Sequence, residues 1–277
     1  MGILTQRRRG AALGCIVVLF LLLAGCRAEQ PRPVPITLTP PPTVLRIGTA
    51  DTAVAFTDLV AIPYAQYTDR ASLQIIPGNT TALFADLEAG QLDAILVHHI
   101  AESAAVWFSP VAVDGLVIIV HPDNPVTSLS RGEVQAVFNG RIANWSALGG
   151  PDAPITLVSR ERGSGTRAIF VERVMGEQRV SINAVVAAGD TAVQELVAAD
   201  PNAIGYSMMG ALQGVKALDL DAIPALTNTA AAQAYPLSAP LYFVSLAEPQ
   251  GELRAWLAWL QAETGQTVVG ERYGRVR

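Results

Sequence analysis

The chain has 277 residues, 51% of them hydrophobic and 16% charged, and a formal net charge of −5. It is long and apolar enough to bury one or two sizeable domains, and its acidic balance disfavours nucleic acid as a partner. With three histidines and two cysteines it lacks the side chains for a dense histidine metal site, so neither a metal nor a cofactor is expected.

The N-terminal end stands apart. Arg7, Arg8 and Arg9 form a basic start, and Ala11 to Leu23 is an apolar stretch too short for a comfortable membrane span. It ends in Leu23-Ala24-Gly25-Cys26, small residues before a cysteine, as in a bacterial lipobox. The expectation is a signal peptide over 1–25, with Cys26 acylated and the body held by lipid outside the cell membrane. A plain signal peptide or a single anchor helix is the alternative. Cys15 falls in the removed part and Cys26 is spoken for, which leaves no thiol for a disulfide or for catalysis. Without residues 1–25 the chain carries 16 basic and 24 acidic side chains, a formal −8. The stretch 26–43 then holds Pro31, Pro33, Pro35, Pro40, Pro41 and Pro42 and reads as an extended tether.

Val44 to Ile47 reads as a first strand, followed by the turn Gly48–Thr52. A helical pattern runs through Phe56, Leu59, Val60 and Tyr64, which Pro63 must kink or shorten. Leu73 to Ile76 is a second strand, closed by Pro77-Gly78-Asn79-Thr80-Thr81. A helix over 82–89 places Leu83, Phe84 and Leu87 on one face, with Gly90 as its stop. Asp93 to Val97 and Gly115 to Val120 are further strands, and Ser130 caps a helix through Phe138. Asn139-Gly140 marks a turn, Asn144-Trp145 opens an irregular segment, and Ile155 to Val158 is a buried strand. Ala168 to Met175 is an amphipathic helix stopped by Gly176. Beyond it lie a short strand at 181–185, a helix capped by Asp190 and running to Ala199, and strands at 203–206, 215–218 and 241–244. A terminal helix over 252–261 turns Leu253, Trp256, Leu257 and Leu260 inward. Strands alternating with helices predict a mainly parallel α/β architecture, which binds ligands at the carboxyl ends of its strands.

One stretch organises the rest: Ser159-Arg160-Glu161-Arg162-Gly163-Ser164-Gly165-Thr166-Arg167, set between a strand and a helix. Two glycines allow a close backbone approach. Ser164 and Thr166 bring hydroxyls, the helix start turns N–H groups outward, and Arg160 can grip an oxyanion with two prongs. A capped helix after an ordinary turn is the plainer reading of the same residues. The turns Gly48–Thr52 and Gly78–Thr81 also fall at strand ends and also carry small polar residues, which suggests a ligand held between two lobes.

This loop resembles the anion-binding loop of the phosphate-binding, PstS-like solute-binding proteins of ABC importers. The likeness extends in order through Asp114-Gly115-Leu116, Val120-His121-Pro122-Asp123-Asn124-Pro125, Leu129-Ser130, Val137-Phe138-Asn139-Gly140, Asn144-Trp145, Leu148-Gly149-Gly150, Ile204-Gly205-Tyr206, Tyr235-Pro236-Leu237 and Pro240-Leu241-Tyr242. The resemblance implies an α/β, two-lobed fold of the periplasmic-binding-protein type, each lobe a mainly parallel sheet flanked by helices. Lobe 1 would comprise 44–120 plus 236–277 and lobe 2 121–235, with the hinge crossings near 120–124 and 235–240. It also implies ligand contacts from Arg160, Ser164, Gly165 and Thr166, from Thr52 in the first turn, from Asn79, Thr80 and Thr81 in the second, and from His98. Here the chain departs from the family pattern: His98-His99 stands where a polar pair ending in an acid or Arg is usual. A carboxylate only accepts, and so rejects an oxyanion without a proton to give; an imidazole cannot do so in the same way. Arg162 also stands where an acid is frequent; facing the cleft it would favour a dianion, and facing solvent it would be inert.

The function so implied is a lipid-anchored, extracytoplasmic and monomeric binding protein, not an enzyme, that captures phosphate for an ABC permease. Tungstate, molybdate or sulfate as ligand, or an oxyanion-sensing role on the same fold, are the alternatives. A phosphohydrolase would need a base beside Ser164 and a metal clamp, and no such cluster accompanies it in sequence.

Overall fold

The computed structural model describes residues 41–276. The expected signal peptide, Cys26 and all but the end of the tether lie outside the described residues. In chain order the elements are β1 (Thr43–Ala50), α1 (Val54–Tyr67), β2 (Ala71–Gly78), α2 (Thr80–Glu88), β3 (Ala94–Val97), β4 (Trp107–Val120), β5 (Ser128–Leu129) and α3 (Arg131–Phe138). They continue with β6 (Thr156–Arg160), α4 (Gly165–Phe170), β7 (Val185–Ala187), α5 (Asp190–Ala199), β8 (Ala203–Met208) and β9 (Lys216–Leu220). The last are α6 (Thr227–Ala231), β10 (Ser238–Ser245), α7 (Gly251–Gln261) and α8 (Glu263–Val269).

Ten strands are linked in the order β2-β1-β3-β10-β4-β8-β6-β7, with β9 beside β4 and β5 beside β9. The outer groups are parallel: β2, β1 and β3 at one end, and β8, β6 and β7 at the other. The two strands that join them, β10 and β4, run antiparallel to their neighbours. β4 has 14 residues, and only its last part, Gly115 to Val120, stands out in the sequence. Its first part alternates between half-buried and exposed, so no apolar run marks it.

Two hydrophobic cores follow from this pairing. One gathers Leu45, Ile47, Phe56, Val60, Leu83, Leu96, Phe243 and Trp256. The other gathers Leu116 to Val120, Phe138, Trp145, Leu157, Phe170, Ile204, Tyr206 and Leu237. β4 passes from one core to the other between Ala112 and Leu116, and β10 between Ala239 and Leu241. β10 shifts register between Leu241 and Tyr242, the local irregularity that bends a strand leaving one core for another.

Several elements differ from expectation, each for a packing reason. Helix α1 continues past Pro63 to Tyr67. Proline removes a donor at a cost of about 3 kcal/mol, but Phe56, Val60 and Tyr64 form one buried face, and Tyr64 packs its ring against Trp256 and Trp259. Strand β2 runs through Pro77, paired with Thr49; as the outermost strand it needs no donor on its free side. The strand expected at 181–185 lies at Val185–Ala187, because Ser181 turns the chain by accepting from Ala184 N and Asn183 N. Asp190 does not cap α5. Gly189, with φ +108°, precedes the helix, and the Asp190 carboxylate turns inward to Ser207 and Gln194. Helix α8 was not foreseen; Gln266 anchors it by donating to the carbonyls of Val111 and Leu260. The Ser130 cap is present as a full capping box with Glu133.

Candidate functional site

β6 delivers Arg160 to the carboxyl end of its sheet, where the guanidinium is 1% exposed. The strand end is pinned from inside: Tyr206 Oη accepts from Arg160 N at 3.0 Å and bonds Ser159 Oγ at 2.8 Å. Arg167, one turn into α4, reaches back and donates to Ser159 Oγ and to the Arg160 carbonyl. Between them Gly163 takes φ +89°, a backbone geometry glycine adopts without strain. Ser164 caps α4, its hydroxyl accepting from Arg167 N at 3.2 Å. The Ser164 hydroxyl thus accepts at the helix start and keeps its own hydrogen to donate.

The second expected turn lies directly on this loop. Asn79 caps α2 by accepting from Thr81 N, and its Nδ2 donates to Glu161 Oε1 at 2.7 Å. Thr81 donates through both N and Oγ1 to the Gly163 carbonyl, at 3.2 and 3.3 Å. Gly165 N donates to Thr80 Oγ1 at 3.2 Å. The approach is as close as glycine permits: a Cβ on Gly163 would fall 2.7 Å from Asn79 Oδ1, and one on Gly165 2.9 Å from Thr80 Oγ1. Asn79, Thr80, Thr81, Arg160, Gly163 and Gly165 are thus brought together. A recess of about 370 Å³ opens beside them, lined by Thr80, Thr81, His99, Gly163, Ser164 and Gly165 among others.

Arg160 is surrounded by carboxylates. Glu161 takes its Nε at 2.9 Å and Nη2 at 3.1 Å, and Asp51 takes Nη2 at 2.7 Å. The same Asp51 oxygen accepts from Asp190 N, the first amide of α5, at 2.6 Å. Arg160 Nη1 lies 3.7 Å from Asp190 Oδ1, and neither atom has a hydrogen-bond partner. Burial works against the Arg160 charge, but the bonds to Glu161 and the charges of Asp51 and Asp190 hold its pKa above the ordinary value. Burial likewise opposes ionisation of Glu161, and its bond with Arg160 outweighs that, lowering its pKa. Asp190 goes the other way: burial, aided by the Asp51 charge, pushes its carboxyl up to about 6.

Thr52 and His98 form a second buried centre. Thr52 follows Asp51 in the turn after β1, and its Oγ1 lies 3.3 Å from His98 Nδ1. His98 Nε2 lies 3.2 Å from Asp114 Oδ2 on β4, off the line of a proper hydrogen bond. Asp114 Oδ1 accepts from Gly115 N and Gly210 N. The neighbouring His99 faces the loop, its Cβ 3.4 Å from where a Gly165 Cβ would stand. Thr166 is buried in the first turn of α4. Arg162 is exposed, lines the recess beside the loop and makes no ion pair among the described residues.

Sequence reasoning did not bring Asp114 to His98 or Asp190 to Arg160. Nothing local in the sequence signals either pairing. In this arrangement the Arg160 guanidinium is met by Glu161, Asp51 and Asp190, and Gly165 N by Thr80 Oγ1. Among the described residues no group of three or more His, Cys, Asp or Glu is placed to hold a metal ion.

Comparison with known proteins places the chain in a class. A family model, the PBP superfamily domain, matches residues 37–264, and the chain belongs to that superfamily. The fold is its α/β two-lobed form with a curled mixed sheet. Among individual relatives, the phosphate-binding protein PstS of Bacillus subtilis (strain 168) is 34% identical over 155 residues, 55% of this chain and 51% of that one. The chain thus spans about half the length of the curated relatives it matches. A Clostridium perfringens structure, described as a phosphate ABC transporter substrate-binding protein with bound phosphate, superposes with a TM-score of 0.80 at 25% identity, over 85% of this chain and 100% of that one. An ABC-type phosphate transport receptor from Vibrio cholerae gives 0.67 at 28% identity, over 84% and 99%.

Proposed function

We propose that the chain is a solute-binding protein that captures inorganic phosphate for an ABC importer. The observation that carries this reading is the buried Arg160 at the end of β6, facing the donor loop Gly163–Thr166 and met by Asn79, Thr80 and Thr81 from the other core. Guanidinium, amides and hydroxyls converging at one place suit a tetrahedral oxyanion. The relatives named for phosphate binding and transport support the same ligand. The ligand-binding set is Arg160, Ser164, Gly165, Thr166, Thr52, Asn79, Thr80, Thr81 and His98. The lobes meet along β4 and β10, which serve as the hinge, and a ligand that bonds both loops favours the closed arrangement by its differential contacts.

The same reading places the protein outside the cytoplasmic membrane, tethered through lipid on Cys26, acting as a monomer beside permease subunits and carrying out no catalysis. Among the described residues no helix is long and apolar enough to cross a membrane. The test is thermal: phosphate must raise the melting temperature, since a ligand that binds only the native state stabilises it by mass action. Arg160→Ala must abolish that rise. No stabilisation by phosphate, sulfate, molybdate or tungstate overturns the oxyanion reading.

A further inference from the structure

Asp51 and Arg160 come from opposite cores. Asp51 follows β1, whose Leu45 and Ile47 belong to the first core, and Arg160 ends β6, whose Leu157 and Val158 belong to the second. Their side chains meet across 109 positions of sequence, at 2.7 Å. Of the three carboxylates around the guanidinium, Asp51 alone reaches it from the first core. Glu161 is its neighbour in the chain, and Asp190 begins α5, which packs into the second core.

The Asp51 carboxylate sits as a free anion would. Its Oδ2 accepts from Arg160 Nη2 at 2.7 Å and from Asp190 N at 2.6 Å. Asp190 N is the first amide of α5, where N–H groups without a partner in the helix favour negative charge. A buried cation and a helix start aimed at one point form a cradle for an oxyanion oxygen, and a side chain of the protein fills it. Both Nη2 hydrogens are taken, one by Asp51 and one by Glu161 Oε1 at 3.1 Å. An anion that is to bond Nη2 has to remove one of the two.

Glu161 is the harder to remove. It holds Arg160 through both oxygens and accepts from Asn79 Nδ2 and Gly189 N besides. Asp51 bonds through Oδ2 alone among the described residues, and its side chain is 31% exposed. It lines a recess of about 630 Å³ together with Asp58, Thr191 and Gly214. The carboxylate therefore has an open space to turn into when it lets go.

We propose that Asp51 is a tethered anion on Arg160 that a captured oxyanion displaces, so that this carboxylate sets how tightly the site holds its ligand and latches the two cores together until it is displaced. This rests on the phosphate reading above and specifies how that site is regulated. The exchange conserves charge: one anion leaves as another arrives, and the buried guanidinium is never bare. A group tethered by a short segment competes at an effective concentration on the order of millimolar. A latch engaged in about nine molecules of ten weakens the apparent affinity about tenfold. Asp51 is then an affinity-setting residue and not itself a ligand contact.

Calorimetry with inorganic phosphate on the purified full-length chain compares wild type with Asp51→Ala, Asp51→Asn and Asp58→Asn. Asp51→Ala should bind phosphate about tenfold more tightly. Asp51→Asn, which keeps a neutral acceptor in place, should fall between it and wild type. Asp58 is exposed and lines the same recess, but forms no ion pair with Arg160 among the described residues. Its charge is screened by solvent, so Asp58→Asn should move the affinity less than about twofold. The latch has a second readout. Without phosphate, small-angle X-ray scattering should give Asp51→Ala a larger radius of gyration than wild type, and phosphate should shrink it. An affinity that is unchanged or weaker in both Asp51 variants, each shown to be folded by its melting transition, overturns the proposal. So does an equal tightening by Asp58→Asn, which would make bulk charge the cause. If neither wild type nor any variant binds phosphate, the phosphate reading fails. The latch is then decided by scattering alone, and an Asp51→Ala chain no larger than wild type sinks it.

Discussion

The two buried centres at the strand ends solve opposite problems. Around Arg160 one cation meets three carboxylates, Asp51, Glu161 and Asp190, within 4 Å. Around His98 no net charge is needed; direction comes from one carboxylate fixed by two amides. The first centre holds elements together by charge, and its loss leaves unpaired ions. The second ties Thr52, His98 and Asp114 together through directed contacts. One centre is held by paired charges, the other by directed hydrogen bonds from backbone amides.

Arg160→Ala tests this contrast most severely. Three carboxylates would lose their shared cation, at a cost of about 3–5 kcal/mol for a broken buried pair. For a chain of this size that is a fall in melting temperature of roughly 10 °C. A fall under about 2 °C by calorimetry would mean that the carboxylates find other partners and that the centre is not held by charge.

Asp190→Asn comes next, through pH. The native carboxyl is raised from 3.8 to about 6 by burial, so the folded state binds a proton more tightly than the unfolded chain. The stability this group contributes is therefore full below about pH 4 and lost as pH rises through about 6, a change of about 3 kcal/mol. Urea unfolding at pH 4 and pH 7 should show the variant gaining on the wild type by that order at the higher pH. A difference independent of pH would refute the assignment.

Gly163→Ala should cost about 1–2 kcal/mol, since φ +89° strains an L-residue. Its Cβ would also press on Asn79 and Thr81, so hydrogen exchange should rise at the Thr81 amide that bonds the Gly163 carbonyl. Asn79→Ala, losing a cap and one bond to Glu161, should cost about 1 kcal/mol.

Much of this was legible in the residues. The apolar runs Leu157-Val158, Ile95 to Val97 and Leu116 to Val120 became buried strands, because such runs have no soluble alternative. Ser130 and Ser164 became caps because the first amides of a helix need an oxygen. The loop Arg160–Thr166 was recognisable because strand, glycines and helix start are contiguous. The early half of β4 was not, since its partner β10 lies more than a hundred residues away. Helix α1 overran Pro63 for a similar reason: the packing of Tyr64 on Trp256 and Trp259 outweighs a local rule.

The sequence by itself determined the α/β alternation, the anion-type loop with Arg160, and the place of His98 where an acid was expected. These depend on contacts between near neighbours in the chain. Only the tertiary structure decided that Asp51, Glu161 and Asp190 share the Arg160 guanidinium, that Asn79 reaches Glu161, and that Asp114 stands behind His98. Asp51 and Asp190 are separated by 139 positions, and nothing local distinguishes either from a solvated acid. Folding brings them to one cation and removes water, and that change of surroundings gives them their role.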